Sequence, residues 1–458
     1  MRRDAPPGGV VYLDNNATTM MPTKVVEAVV RWMNRGDPSA EYASAREAQN
    51  MMQKFRQLLA DNGEFGLEGP RGYTIIFTSG GAEGNCHIVN ATARAYASRT
   101  GKMPHIIVSA MEHGSLLTCC QDLARDRMID MTVLPARKCS TGGDTGVVET
   151  AELERAIRPN TCLISIIAAS HETGAINDLR ALGAIAHGSK IPFHTDAAQL
   201  FGKSTIIPGD LEIDAFSGSF HKLHGPPGVG FLAIRNDLIE GYGLGPLVCG
   251  AQNKGLRGGI ENFPGIAGAF AAYKLVATGR GDKNRDVRRL RDGLQLALSR
   301  RFPTIHVDDY CEARPRVSDG EPATPRSSRI PAAPRTKTGA ALARRLDKAS
   351  EADVPVIVWI GPKDRAKILP NTLLFSVLRS GQGGLCSRKT RALLEKRGFI
   401  VRGGGADTPR VLEALDAPPE LWQGVIRVSL SDDSTSAEVG GFVDAFAEIA
   451  LSKKALRD

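Results

Sequence analysis

The sequence has few aromatic residues, no long hydrophobic run and no repeated pairing of cysteines. Aromatic residues make up 5% of the chain, so stacking platforms for single-stranded nucleic acid are not expected. No apolar run approaches the roughly 20 residues of a membrane-spanning helix, and we expect no membrane segment. The eight cysteines show no repeated CxxC pattern, which argues against a disulfide framework and against a metal site such as a zinc ribbon.

The composition is otherwise that of an ordinary globular protein. Hydrophobic residues make up 42% and charged residues 24% of the 458 residues. A chain of this length predicts more than one domain. Only about ten residues precede the first structured-looking segment, too few for a signal or transit peptide. Unpaired cysteines favour a reducing compartment, and we expect a cytoplasmic protein.

Half of the net charge of +8 lies in one stretch, residues 312–351. This stretch contains nine basic and five acidic residues, a surplus of +4, together with five prolines. Such a composition buries too little apolar surface to offset chain entropy, and it predicts a disordered, basic, proline-rich insertion. A solvated linker is favoured over a nucleic-acid-binding arm, because the rest of the chain is nearly neutral.

Before the insertion, short apolar runs alternate with longer helical patterns. The runs lack a clean polar alternation, which is typical of strands buried on both faces in a largely parallel sheet. The predicted strands are 74–78, 105–109, 131–134, 162–168, 191–194 and 229–234, and a helix is predicted at 25–34. After the insertion, strands at 373–377 and 425–429 and helices at 389–397 and from 437 onward predict a smaller α+β unit.

Two segments carry residues suited to Schiff-base chemistry. Lys222 lies in DAFSGSFHKLHGPPGVG, where glycines allow close backbone approach to a bound group. A lysine with a lowered pKa in such a turn suits Schiff-base formation, and a surface lysine beside a turn is the alternative. Asp196 follows the apolar run IPF and is expected at a strand end, where its carboxylate suits pairing with a pyridine nitrogen. A helix N-cap is the alternative role for Asp196.

Together with further motifs, these segments resemble the cysteine desulfurases of the class V aminotransferase family, which are pyridoxal phosphate (PLP) enzymes of fold type I. The resemblance covers nearly the whole chain outside the insertion. The matching motifs are YLDNNATT (12–19), GDPSAEYASAREA (36–48), FTSGGAEGN (77–85), SAMEHGS (109–115), HETGAI (171–176), HTDAAQ (194–199), SFHK (219–222), GLRGGIEN (255–262), LPNTLLFS (369–376) and IRVSL (426–430).

The resemblance implies a role around the cofactor ring for four residues. Lys222 would hold PLP as a Schiff base and later move the α-proton of the substrate. Asp196 would pair with the pyridine nitrogen, and Gln199 would hydrogen-bond the phenolic oxygen. His113 would stack on the ring face and serve in acid–base steps.

The resemblance also implies a phosphate site. Ser219 and His221, with backbone amides near Gly80 and Gly81, would hold the phosphate at a helix N-terminus. The family has Thr where this chain has Ala82 in the phosphate turn, and Thr again where it has Ile260. Each lost neutral hydrogen bond costs about 0.5–1.5 kcal/mol, so we expect weaker cofactor binding than in the relatives.

Residues around the substrate are implied in the same way. Arg427 would grip the substrate carboxylate, for which a planar guanidinium fork is well suited. Asn15 and Asn16 belong to the N-terminal segment that borders the substrate pocket. His171 stands where the family has Asn, which changes the group near the ring oxygen and the substrate carboxylate.

The largest departure from the family concerns its mobile loop. The family loop reads SSGSAC, and its Cys attacks the substrate sulfur and carries a persulfide. Here the loop reads RGGGAD at 402–407, several residues shorter, and Asp407 stands at the Cys position. A carboxylate cannot accept sulfur as a thiolate does. Cys386 and Cys249 are weak candidates to replace it, and Cys119 and Cys120 are expected to be packing residues.

Three functions follow. The first is a cysteine desulfurase-like enzyme that cleaves a Cβ–S or Cβ–Se bond and forms alanine without the loop persulfide. The second is a PLP enzyme with other amino-acid chemistry, such as an aminotransferase or lyase. The third is a pseudoenzyme scaffold, which the intact set of Lys222, Asp196, Gln199 and His113 argues against. The resemblance implies a homodimer, a possible sulfur-acceptor protein and a place in sulfur metabolism such as iron–sulfur cluster assembly.

The expected fold is α/β, of the fold-type-I PLP-dependent transferase class. A large PLP-binding domain with a mostly parallel sheet would span residues 15–264. A small α+β domain would comprise residues 265–458 together with 1–14, interrupted by the insertion at 312–351.

Overall fold

The structure, a computed structural model, describes residues 9–139, 141, 143–312, 354–379, 383–404 and 407–452. The strands are β1 (Val11–Tyr12), β2 (Tyr73–Thr78), β3 (His105–Ser109), β4 (Asp130–Leu134), β5 (Thr161–Ser165), β6 (Phe193–Asp196), β7 (Ala215–Ser219), β8 (Gly230–Arg235), β9 (Thr304–His306), β10 (Val356–Ile360), β11 (Thr372–Arg379), β12 (Gly383–Gly384), β13 (Phe399–Ile400) and β14 (Val425–Ser429). The helices are α1 (Thr23–Trp32), α2 (Ala43–Gly63), α3 (Gly81–Thr100), α4 (Gly114–Arg125), α5 (Thr150–Ala156), α6 (Leu179–Gly188), α7 (Asn236–Tyr242), α8 (Phe263–Ala277), α9 (Arg280–Arg301), α10 (Val307–Glu312), α11 (Ser387–Lys396), α12 (Thr408–Ala414), α13 (Pro419–Trp422) and α14 (Ser436–Leu451).

The larger sheet has seven strands in the order β2-β8-β7-β6-β5-β3-β4. β8 pairs antiparallel with both of its neighbours, and the other pairs are parallel. Strands β3, β5, β6 and β7 are buried along their whole length, as expected for a sheet covered by helices on both faces. The predicted α/β fold with a mostly parallel sheet is confirmed.

The smaller sheet contains strands from the second half of the chain. β11 pairs antiparallel with β10, β12 and β14, and β10 pairs parallel with β9. The N-terminal β1 pairs in parallel with β13, with Val11 opposite Phe399. The start of the chain is therefore hydrogen-bonded to its C-terminal part. The domain boundaries at residues 264 and 265 stay a prediction.

A cluster of aromatic side chains supports the turn that carries Lys222. The ring of Phe55 on α2 lies 5.3 Å from that of Phe77, 5.1 Å from that of Phe220 and 5.0 Å from that of Phe270, measured between centroids. Such pairs contribute about 0.5–1.5 kcal/mol each beyond area burial. Because Phe220 is fully buried and opens the turn Phe220–Lys222, this packing holds the backbone that positions the lysine.

The sequence predicted no membrane-spanning helix and an insertion at residues 312–351. Among the helices that the structure describes, none combines the length and apolar composition that crossing a bilayer requires. The predicted insertion lies outside the described residues, apart from Glu312, which is the last residue of α10.

Candidate active site

Six strands of the larger sheet, all except β8, run in the same direction and end at one edge, and most of the predicted site residues lie there. β6 ends at Asp196 and β7 ends at Ser219. β2 ends at Thr78, shortly before α3, and β3 leads to His113, whose side chain accepts a hydrogen bond from the Ser115 amide at the start of α4. Because β2, β3, β6 and β7 run in the same direction, their carboxyl ends form the edge where open parallel sheets bind ligands.

Lys222 lies directly beyond β7. Its Nζ donates to the backbone carbonyls of Asn16 and Ala17, at 2.6 Å each. Burial lowers the pKa of Lys222 to about 8, with a further lowering by Arg427 that Asp196 opposes. An amine with this pKa is available in its unprotonated form much nearer to neutral pH than a surface lysine is.

Asp196 is buried and receives two hydrogen bonds. One carboxylate oxygen accepts from the backbone amide of Ala198 at 2.9 Å, and the other accepts from Nδ2 of Asn85 at 2.7 Å. The Oδ1 atom of Asn85 is buried and has no hydrogen-bond partner among the described residues. Asn85, the last residue of the motif FTSGGAEGN, was not among the predicted site residues. These contacts orient Asp196 as a carboxylate with both oxygens partly engaged.

Gln199 forms a network with Lys203, a residue that sequence reasoning missed. Lys203 Nζ donates to Gln199 Oε1 at 2.9 Å, and the Gln199 amide nitrogen donates to the backbone carbonyl of Asn16 at 2.9 Å. Burial lowers the pKa of Lys203 to about 7, and the positive charges of Lys222 and Arg427 lower it further. The only sequence signal for Lys203 is its place four residues after Gln199.

The residues predicted to hold a phosphate lie around the start of α3. No side chain in the described part of the chain caps α3, whose first residue is Gly81. A Cβ atom built on Gly81 would lie 3.7 Å from the Cβ of Ser219. His221 Nδ1 lies 3.1 Å from the Thr18 hydroxyl, and burial lowers the pKa of His221 to about 4, so its ring is neutral at neutral pH. Ala82 is exposed.

The two asparagines of the N-terminal segment have different surroundings. The Asn16 amide donates to the His171 carbonyl at 3.0 Å and to the Thr372 hydroxyl at 2.9 Å, while its backbone carbonyl accepts from Lys222. The Asn15 amide instead donates to the backbone carbonyl of Ser429 at 2.8 Å. Asn16 therefore lies within the predicted site, and Asn15 ties the N-terminal segment to β14.

Arg427 on β14 is buried between two carboxylates. Its Nη1 donates to Glu172 Oε1 at 2.9 Å and to the His171 carbonyl at 2.9 Å, and its Nη2 donates to Asp14 Oδ1 at 2.8 Å. The Arg427 side chain is 4% exposed and that of Glu172 is 3% exposed, so the pair is largely removed from water. The guanidinium fork that the sequence analysis assigned to a substrate carboxylate is thus already engaged by two carboxylates of this chain.

Asp407 and His171 lie in direct contact. His171 Nε2 is 3.2 Å from Asp407 Oδ2. The hydrogen bond from His171 lowers the pKa of Asp407 to about 2 against the opposing effect of burial. The His171 ring lies 5.5 Å from the His113 ring, at an interplanar angle of 66°. The structure therefore brings His113, His171 and Asp407 together at the strand-end edge.

Comparison with known proteins identifies the family. A family model described as aminotransferase class-V matches residues 11–293, which is more than half of the chain. The chain belongs to this family, as its motifs suggested, and it is a PLP-dependent enzyme.

Individual relatives match over most of the chain. A selenocysteine lyase of Rattus norvegicus is 29% identical over 467 residues, covering 95% of this chain and 93% of that protein. A cysteine desulfurase IscS of Methanosarcina thermophila is 37% identical over 303 residues, covering 66% of this chain and 70% of that protein.

Solved structures show the same fold. A NifS-like protein superposes with a TM-score of 0.74 at 26% identity, covering 96% of this chain and 99% of that one. A structure titled SspA in complex with cysteine superposes with a TM-score of 0.63 at 25% identity, covering 92% and 98%.

Proposed function

We propose that this enzyme cleaves the Cβ–S or Cβ–Se bond of cysteine or a related amino acid and forms alanine, without a persulfide on the shortened loop. The observation that carries the proposal is that Lys222, whose pKa is lowered, and Asp196 lie at the same edge of the sheet. At the same edge, position 407 holds an aspartate, in contact with His171, and not a cysteine. The relatives named selenocysteine lyase and cysteine desulfurase, and the similar structure solved with cysteine, support the substrate class.

The residues present fit PLP. When bound, PLP supplies an electron sink for negative charge at the substrate's α-carbon. Lys222 offers the amine, and Asp196 offers a buried carboxylate held by Asn85 and Ala198 for a protonated ring nitrogen. We assign Gln199 to the ring oxygen, with its Oε1 atom held by the Lys203 ammonium group.

The other end of the cofactor would meet the start of α3. Ser219, neutral His221 and the uncapped amides near Gly80 and Gly81 offer donors for phosphate, and a helix N-terminus favours an anion. His113 is assigned to the ring face and to acid–base steps.

Lys222 holds the proton-transfer role in this proposal. Its amine would take the α-proton of the substrate, and its pKa of about 8 suits a base that must release that proton again near neutral pH. Asn16, whose carbonyl accepts from Lys222 and whose amide holds the His171 backbone, connects this base to the substrate side of the site.

The residue that would bind the substrate carboxylate is already paired within this chain. The assignment of Arg427 to this group stays a proposal, because Glu172 and Asp14 already accept from the two terminal nitrogens of its guanidinium. The buried Nε atom of Arg427 has no hydrogen-bond partner among the described residues.

No cysteine of this chain takes the place of the loop thiolate in this proposal. Cys249 and Cys386 are exposed, whereas Cys120, on α4, is buried in the core. Asp407 stands at the loop position and contacts His171 instead. Substrates whose heteroatom group leaves more readily than that of cysteine therefore suit this site better.

We further propose a cytoplasmic homodimer with a possible sulfur-acceptor protein. In the resembled family, the segment that corresponds to residues 255–262 reaches the partner subunit. In this chain the segment is held by two ion pairs: Arg257 with Glu83 at 3.1 Å and Glu261 with Arg56 at 3.2 Å. These pairs would present the intervening residues in a fixed position to a second copy.

Product analysis tests the proposed function. We expect the PLP-loaded protein to form alanine from cysteine sulfinate or selenocysteine, and mass spectrometry to find no persulfide on any cysteine during turnover. A persulfide on Cys386 or Cys249 would contradict the loop part of the proposal. Failure to form any product from cysteine, cysteine sulfinate and selenocysteine would contradict the proposal as a whole.

The pH dependence of cofactor loading is a second test. Attachment of PLP needs the unprotonated amine of Lys222, whose pKa is lowered to about 8 in the folded chain. The loading rate of the PLP-free protein should therefore rise with pH and level off above pH 8, instead of rising toward the ordinary lysine pKa of about 10.4. The measurement is the growth of the visible absorbance band after mixing with PLP at a series of pH values. A rate that still climbs steeply beyond pH 9 would contradict it.

A further inference from the structure

The two positions where this chain departs most from the desulfurase pattern contact each other. His171 stands where the resembled family has Asn, and Asp407 stands where it has the sulfur-accepting Cys. In the structure the His171 Nε2 atom lies 3.2 Å from Asp407 Oδ2. A second carboxylate oxygen, from Glu172, lies 3.9 Å from the same nitrogen. The two replacements thus form one pair, although 236 residues separate them in the sequence.

Contacts on both sides hold the pair in place. The carbonyl of His171 accepts from Asn16 and from Arg427, which fixes its backbone. Asp407 directly precedes α12, where the Thr408 hydroxyl donates to Glu172 Oε2 at 3.0 Å. Arg410, one turn further on, donates to the carbonyls of Ala110 and Glu112. The carboxylate is therefore built into the wall of the site beside His113.

The charge of Asp407 sets the direction of its hydrogen bond with His171. The pKa of Asp407 is lowered to about 2, so its side chain is a carboxylate at neutral pH. A carboxylate can only accept, so the Nε2–H group of His171 donates to Asp407 Oδ2. This N–H group is a proton donor in the wall of the site, where the family places a nucleophile instead.

Conversion of cysteine to alanine and elimination from cysteine place different demands on the enzyme. Conversion of cysteine to alanine leaves one neutral sulfur atom, which a thiolate must accept. The carboxylate of Asp407 cannot accept it. Elimination needs no such acceptor, because cysteine plus water gives hydrogen sulfide, pyruvate and ammonia, with nothing oxidised or reduced overall.

We propose that this chain releases hydrogen sulfide from cysteine by elimination, with His171 as the catalytic acid and Asp407 as its positioning residue. The inference rests on the proposed function, because it needs the same cofactor and the same base, and it replaces alanine by pyruvate as the product from cysteine alone. Lys222 takes the α-proton, the Cβ–Sγ bond breaks with its electron pair leaving on sulfur, and His171 gives its proton to that sulfur. The remaining carbon product, 2-aminoacrylate, then reacts with water and yields pyruvate and ammonium.

The carbon product decides between elimination and desulfuration. The PLP-loaded protein is incubated with cysteine, and sulfide, pyruvate and alanine are quantified together. Sulfide alone is not diagnostic, because sulfur handed to a second cysteine is also reducible to sulfide. We expect sulfide and pyruvate in equal amounts with only trace alanine. Alanine as the main carbon product overturns the inference and leaves the proposed function standing.

Two further outcomes separate the inference from the proposed function. If cysteine yields neither pyruvate nor alanine while cysteine sulfinate yields alanine, the inference fails alone. If no substrate yields a product although the visible band of the lysine-bound cofactor is present, both fail.

Variants of the pair test the assigned roles. His171→Asn, which restores the family residue, should lower kcat for pyruvate formation by about 100-fold, the usual contribution of a general acid, with an unchanged cofactor band. Asp407→Asn should lower kcat and leave KM unchanged, and Asp407→Glu should restore part of the rate. His187→Asn, an exposed histidine on α6, is the matched control and should change nothing. Full pyruvate formation by His171→Asn would overturn the assignment of the acid.

Discussion

Replacing Lys222 with alanine is expected to abolish both the visible absorbance band of the bound cofactor and product formation. The side chain supplies the amine that would hold PLP and the base that would move the α-proton, so no step of the proposed reaction survives its loss. We expect the rate to fall by more than about 1,000-fold. The measurements are the absorbance spectrum after incubation with PLP and the yield of alanine or pyruvate.

The same experiment also tests whether a second lysine, Lys203, binds the cofactor. Lys203 is also buried enough to have its pKa lowered to about 7, and it lies near Lys222 in the same network. If the Lys222→Ala protein still develops the band, Lys203 is the attachment site and the motif-based assignment of Lys222 is wrong. Lys102→Ala removes an exposed lysine beyond the end of α3 and should leave band and rate unchanged.

Replacing Arg427 with leucine is expected to destabilise the protein strongly. The guanidinium is 4% exposed and lies between Glu172, at 2.9 Å, and Asp14, at 2.8 Å. Removal of one member of a buried ion network leaves uncompensated charges, which costs about 3–5 kcal/mol in the free energy of unfolding. Urea denaturation of the PLP-free protein measures this loss without any contribution from bound cofactor.

An exposed arginine of the same chain provides the control. Arg301 pairs with Asp444, and both side chains are about half exposed or more. Arg301→Leu should change the free energy of unfolding by less than about 1 kcal/mol. If Arg427→Leu is as stable as Arg301→Leu but has a greatly raised KM, the arginine acts mainly on the substrate carboxylate, as the family resemblance implies.

Local sequence predicted some strands of this fold and missed others. The runs HIIVS and VIRVS became β3 and β14 with the predicted bounds, because continuous apolar or β-branched residues are typical of buried strands. β7, with the sequence AFSGS, was not predicted. Its small and polar residues carry little strand signal, and its five residues are buried because β6 and β8 pair with it on either side.

The sequence by itself determined the family, the fold and the motif positions of Lys222, Asp196 and Gln199. It did so because strand ends and glycine-containing turns are local features that a linear pattern records. The sequence by itself also predicts that Asp407 stands at the position of the family's loop cysteine.

Only the tertiary structure decided which groups these residues face. Arg427 lies 255 residues from Glu172 and 413 from Asp14, and no local pattern predicted that its guanidinium fork would be engaged by both. His171 and Asp407 were noted separately as departures from the family, and their contact follows from α12 docking against the segment after β5. Such pairings depend on how the two sheets pack together, because residues hundreds of positions apart share no local signal.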